Sequence, residues 1–165
     1  MRGSMRKKII ALMVIPITLC TFHKIEAATT ANATITYTIG SIDSISISGS
    51  PGPLVINSAT AGSAPTGAVD SSTSYSVTTN NTSRMVTGSL ATDMPTGVSL
   101  SVNLDAPDGS TSEGDVVLSS TPICLVDGIS NIFQGALGVT YTLTATVDAS
   151  CVTGATNTVT FTVQP

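Results

Sequence analysis

Val98-Ser99-Leu100-Ser101-Val102-Asn103-Leu104 alternates an aliphatic residue with a small polar one over seven positions. Successive side chains of an extended strand point to opposite faces. The run therefore places four aliphatics on one side and three polar groups on the other. A helical period of 3.6 would scatter those residues around the axis. The stretch predicts a strand with one face on a core and the other in water, the pattern of an antiparallel sheet.

The same alternation recurs in both directions. Upstream, Ile35-Thr36-Tyr37-Thr38-Ile39, Ser44-Ile45-Ser46-Ile47-Ser48 and Ser74-Tyr75-Ser76-Val77-Thr78 repeat it. Ile42 falls out of phase with Ile45 and Ile47, which places a turn or bulge near Gly40 to Asp43. Leu54-Val55-Ile56 reads as a short buried strand, and residues 58–72 as a loop of small residues, Gly and Pro. Asn80-Asn81 is a turn signal, so residues 84–91 are expected to pair back on the preceding strand as a hairpin. Downstream, residues 116–118 and 123–126 are short strands, and Ile129 to Gly138 is expected to hold a helical turn. Residues 139–147 and 158–163 are expected to close the fold as a pair. Nine or so short strands separated by turns predict an all-β fold, an antiparallel immunoglobulin-like β-sandwich occupying residues 28–165 as a single domain.

Charge is divided unevenly along the chain. Arg2, Arg6, Lys7, Lys8, Lys24 and the single histidine, His23, all precede residue 28. From Ala28 onward one arginine, Arg84, stands against nine acids, leaving a formal charge of −8. Residues 5–27 read as a secretory signal peptide, with a basic start, an apolar run from Ile9 to Phe22 and a small residue, Ala27, at the cleavage point. Met5 would serve as a start, leaving residues 1–4 as an N-terminal extension. The apolar run is 14 residues long, short of the roughly 20 needed to span a bilayer. The expected product is secreted, reaches the cell surface through the periplasm, and carries no membrane span after cleavage.

The mature region lacks Lys, His and Trp. A serine triad has no histidine base and a Ser–Lys dyad no lysine, so the expected protein is not an enzyme and needs no cofactor. Nucleic acid is excluded as a partner, because neutralising phosphates takes lysine and arginine. Ser and Thr together supply 46 residues from Ala28 onward. Disorder does not follow, since the aliphatic content is high and regularly placed.

Two cysteines, Cys124 and Cys151, remain after the leader is removed. An even pair in an oxidising compartment predicts a disulfide, whose loop closure would stabilise the fold by about 3 kcal/mol. Asp105, Asp108, Glu113 and Asp115 crowd one loop and form a calcium candidate, since calcium takes clustered oxygen ligands. Their spacing is not that of an EF-hand, and a solvated acidic turn is the simpler account of them. Asp105-Ala-Pro and Asp108-Gly are both turn sequences. Tyr37, Tyr75, Phe133, Tyr141 and Phe161 could line a sugar site, although three of them fall on the apolar face of a strand, where core packing is the simpler expectation. Ile35, Tyr37 and Ile39 mark a candidate assembly strand close to the mature terminus, able to complete a neighbour's sheet by strand addition. Alternation alone would equally make it the first strand of its own domain.

With its secretory leader, small Thr/Ser-rich all-β domain, cysteine pair and alternating terminal segments, the chain resembles exported bacterial fimbrial and coat subunits. The resemblance implies a non-catalytic structural subunit of a surface fibre, coat or extracellular matrix, partnered by itself or by other surface subunits. It departs from chaperone–usher fimbrial subunits in two places: the cysteines lie late in the chain, and Phe161-Thr-Val-Gln-Pro165 lacks a penultimate aromatic. The alternative is a monomeric secreted binding module, for a glycan or a host surface. N-terminal sequencing of exported protein should begin at Ala28. A product that retains the basic leader contradicts the cleavage assignment.

Overall fold

The computed structural model describes residues 30–165. The expected signal peptide, residues 1–27, lies outside the described residues. The chain divides after Tyr37 into an N-terminal unit and a body that runs from Thr38 to Pro165.

Every regular element among the described residues is a strand: β1 (Asp43–Ser48), β2 (Ala68–Thr79), β3 (Arg84–Leu90), β4 (Val98–Leu104), β5 (Thr111–Ser112), β6 (Val116–Val117), β7 (Ile123–Ile129), β8 (Ile132–Ala145) and β9 (Val159–Gln164). They form two antiparallel sheets. One has five strands in the order β1-β2-β8-β4-β6, the other four in the order β5-β7-β3-β9. The all-β expectation therefore holds, with β4 occupying the run from which the fold was read.

Alternation explains why the sheets meet. Leu100, Val102 and Leu104 of β4 turn inward beside Tyr75 and Val77 of β2 and Val139 and Tyr141 of β8. From the four-stranded sheet come Val86 and Leu90 of β3 with Leu125, Val126 and Ile129 of β7. These residues make one hydrophobic cluster, and Tyr75, Val86, Val102, Leu104, Leu125, Val126 and Val139 are entirely buried. Burying a side chain of this size contributes about 1.5–3 kcal/mol. The Tyr75 hydroxyl keeps a partner in the core by donating to the carbonyl oxygen of Asp105, as a buried phenol requires.

Several expectations are corrected. Asn80-Asn81 does not close a hairpin, because β2 and β3 lie in different sheets and β3 pairs with β7 and β9. The β8–β9 pair is likewise absent: β8 lies between β2 and β4. Strand alternation reports which face is apolar and says nothing about which strand is the neighbour. The helical turn expected at residues 129–138 is instead a crossover at Ser130-Asn131 followed by the start of β8. Asn131 (φ 47°) and Ala136 (φ 58°) adopt left-handed backbone there, and the β2–β8 register shifts between Tyr75 and Val77. Such a bulge breaks the period of two and blurs the strand signal. Residues 35–39 and 54–56 form no strand.

Gly88 sits on the inward face of β3. A Cβ there would lie 2.7 Å from Leu125 Cδ1 and 3.3 Å from Leu118 Cδ2. Gly88→Val should therefore overpack the shared core and cost about 1–3 kcal/mol, read as a lower urea midpoint. An unchanged midpoint would mean that Leu125 and Leu118 give way to the added side chain at no cost.

Candidate assembly surface

A two-sheet body has four edge strands, and here they are unequal. β5 and β6, at one side, contain two residues each. β1 and β9, at the other, contain six each. A short edge offers little backbone to a pairing chain, whereas a long one presents a row of unpaired N–H and C=O groups. Natural edges of that length are commonly protected by lysine, proline or an inward-pointing charge. Val159-Thr160-Phe161-Thr162-Val163-Gln164 contains none of these. β1 carries one charge, Asp43, already occupied by Arg84 at 3.2 Å.

The two long edges are neighbours, with β1 packed against β9 across the sheets. Their inward residues are covered incompletely. Val159, Phe161 and Val163 of β9 are only half-buried, as is Ile45 of β1, while Ile47 remains 39% exposed. Their counterparts on the inner strands, Val77 and Tyr75, lie opposite Ile45 and Ile47 and are fully enclosed. The core is thus open along the side bounded by β1 and β9.

The residues leading into β1 are held in a set geometry. The Asn80 amide accepts from the Ile42 N–H at 2.8 Å and donates to the Gly40 carbonyl at 2.8 Å. Asn81 Nδ2 donates to Ser41 Oγ at 2.9 Å and to the Asp43 carboxylate at 3.1 Å. Thr79 Oγ1 donates to that carboxylate at 2.6 Å. The two asparagines therefore clamp residues 40–43, with partners that lie about forty positions away in the chain. In the sequence they announced only a turn. Nothing in local spacing reveals a bond of that separation. Both amides also begin Asn-x-Ser/Thr triplets, yet here each is engaged within the fold.

Of the three assembly residues expected from the sequence, Ile35 and Tyr37 are each 81% exposed and Ile39 is 75% exposed. None lies in a strand. They are large, apolar and spaced at the strand period.

The remaining candidates do not converge. Cys124 of β7 and Cys151 of the β8–β9 connection are free thiols, so the expected disulfide is not formed. Burial, with Asp127 and Glu113 nearby, pushes the Cys124 thiol up from its ordinary range. Among the described residues no three acidic, thiol or imidazole groups gather to hold a metal. Asp105, Asp108, Glu113 and Asp115 all face solvent, and the Asp105 carboxylate instead accepts from the Gly138 N–H at 3.0 Å. The five aromatics are dispersed: Tyr75 and Tyr141 lie in the core, Phe161 is half-buried, and Tyr37 and Phe133 are exposed. Phe133 and Ile42 flank a shallow cavity of about 280 Å³, with Thr78, Asn80 and Asn131 at its walls.

Comparison of the chain with known protein families, with curated proteins and with solved structures finds no match.

The clamp has a pH signature. The hydrogen bond from Thr79, then that from Asn81, and the charge of Arg84 hold the Asp43 carboxyl below its ordinary value of 3.8. A depressed acid stabilises the fold above its unfolded pKa and loses that contribution as pH falls through the lower folded value. Thermal midpoints should therefore decline in acid from about pH 4 downward. Asp70 and Asp93, depressed by bonds to Ser72 and Ser120, share that decline. Asp43→Asn should lower the neutral-pH midpoint and flatten part of the acid slope. An unaltered slope would remove Asp43 from the linkage.

Proposed function

We propose that this chain is a non-catalytic structural subunit of a bacterial surface fibre, coat or extracellular matrix, exported and assembled through its strand edges. The body is read as an immunoglobulin-like β-sandwich whose two sheets enclose the common core. One observation carries the reading: the two six-residue edges lie together on one side of the body, uncharged apart from a neutralised Asp43, with half-covered apolar residues behind them. A monomer that must stay soluble places charge or proline at such a position, and this one does not. The acidic mature region supplies solubility elsewhere on the surface. The lack of Lys and His from Ala28 onward supports a role without acid–base or nucleophilic chemistry.

A second reading, a monomeric binding module for a glycan or host surface, is favoured by a different feature. Phe133 is 85% exposed beside the cavity wall. An exposed ring next to amides is a surface on which the apolar face of a sugar could stack.

Assembly is tested on purified protein at increasing concentration by sedimentation, electron microscopy and denaturing gels run with and without boiling. The structural reading expects polymers, with bands in unboiled samples that collapse to monomer on heating. Identical monomer bands and featureless grids contradict it. A glycan array that gives hits lost on Phe133→Ala would favour the second reading, and an array without hits would remove it.

A further inference from the structure

We propose that Asp127 and Gly128 form a self-modification site, at which the backbone nitrogen of Gly128 closes on the Asp127 carboxyl to give a succinimide and then isoaspartate. The reaction takes place within one chain and needs only water. The site lies in β7, which β3 separates from the β9 edge, so the chemistry is independent of assembly.

The backbone sets up the contact. From Val126 to Ile129 β7 advances three residues while the facing β3 advances two, from Arg84 to Val86. One extra residue is therefore taken up as a bulge. Gly128 carries a positive φ of 77° there, a conformation open to glycine. A Cβ built on it would meet no atom within 4 Å, so no side chain from elsewhere packs over the residue. The Gly128 N–H donates to Asp127 Oδ1 at 2.7 Å. That oxygen is bonded to the carboxyl carbon, Cγ, so the nitrogen already rests against the group it attacks. Such prior contact, with reacting atoms about 3–3.5 Å apart, is what speeds an intramolecular step. Both residues are exposed, and water reaches the ring.

Two other places in the chain lack one of these features. Asp followed by Gly, the pair in which no side chain crowds the attacking nitrogen, occurs again only at Asp108-Gly109. There the Asp108 N–H is tied to Gln134 Oε1 at 2.8 Å, and among the described residues its carboxylate makes no hydrogen bond to Gly109. Asn157 does accept from the next N–H, that of Thr158, at 2.9 Å. Its neighbour is β-branched and crowds the nitrogen, and its own amide is anchored to the Thr92 carbonyl at 2.7 Å. Contact and freedom coincide at Asp127-Gly128.

The atoms balance without a co-reactant. First the bond between Gly128 N and Cγ forms, the nitrogen gives up its proton, and one carboxyl oxygen leaves as water. Water then adds to either ring carbonyl. Attack at Cγ restores aspartate, whereas attack at the Asp127 backbone carbonyl leaves the chain running through the side chain as isoaspartate. That product has one more methylene in its main chain. Asp127 lies opposite Thr111 and Val126 opposite Ser112, which together make up the β5–β7 pairing. Val126 and Ile129, on either side of the site, are both buried in the core. A longer backbone between them breaks the register of the two-residue β5 and leaves β7 as an edge.

The test is to hold the full-length exported protein in warm neutral buffer and follow peptic peptides by mass spectrometry with fragmentation that separates isoaspartate from aspartate. In folded protein, the peptide containing Asp127 should first lose the mass of one water. It should then gather isoaspartate several-fold faster than the peptide containing Asp108. Unfolding in urea should bring the two sites to a common rate. Equal rates in the folded protein would overturn the proposal. Asp127→Asn, which expels ammonia more readily than aspartate expels water, should speed ring closure, and Asp127→Glu, with a side chain too long for the five-membered ring, should abolish it. Both positions face solvent, and circular dichroism checks that each variant is folded. Isoaspartate formation that is no faster in the first variant, or a ring that persists in the second, contradicts the mechanism. In the modified fraction the amides of Thr111 and Ser112 should exchange faster than in fresh protein. Unchanged exchange there would overturn the loss of β5.

Discussion

Burial of a single apolar layer between two sheets is the constraint from which the rest of the molecule follows. Small bodies of this kind enclose few residues, and each large aliphatic that leaves water contributes a sizeable share of a marginal total. The layer is well closed in its centre, where Val102, Val139, Val86 and Leu125 have no contact with solvent. It ends raggedly at one side. There the five-stranded and four-stranded sheets finish in β1 and β9, and Ile47, Phe161 and Val163 remain partly wet. The opposite side ends in two-residue strands that offer no comparable edge. The asymmetry of the edges and the incompleteness of the core are one feature seen from two directions.

Backbone pairing and side-chain burial are both incomplete on that side, along β1 and β9. The hydrogen bonds of Asn80 and Asn81 fix residues 40–42, which lead into β1. Asp43 links that geometry to the body, since its carboxylate is shared by Thr79, Asn81 and Arg84. The one arginine after residue 27, Arg84, thus braces β3 against the entry to β1.

What could be read from the sequence was the set of strands, and what could not was their company. Residues 98–104 declared a strand because four aliphatics at period two have no other economical arrangement, and β1 declared itself in the same way. The first half of β2 was hidden, since residues 68–73 are mostly small and polar and the strand is sustained there by pairing with β8. Asn80-Asn81 gave a correct turn and a wrong neighbour, because the same residues suit a tight hairpin and a crossing between sheets. Ala136 and its bulge disguised the start of β8 as something less extended. An even cysteine pair suggested a disulfide, yet the fold leaves Cys124 and Cys151 unbonded. The alternation of residues 35–39 was visible as a pattern, yet they form no strand.

Amide hydrogen exchange compared between monomer and polymer tests the central claim most directly. Slow exchange requires a backbone hydrogen bond that survives local opening. The account predicts that the unpaired amides of the β1 and β9 edges exchange freely in the monomer and become protected on assembly. Free exchange along both edges in a polymer whose inner strands are protected would contradict it.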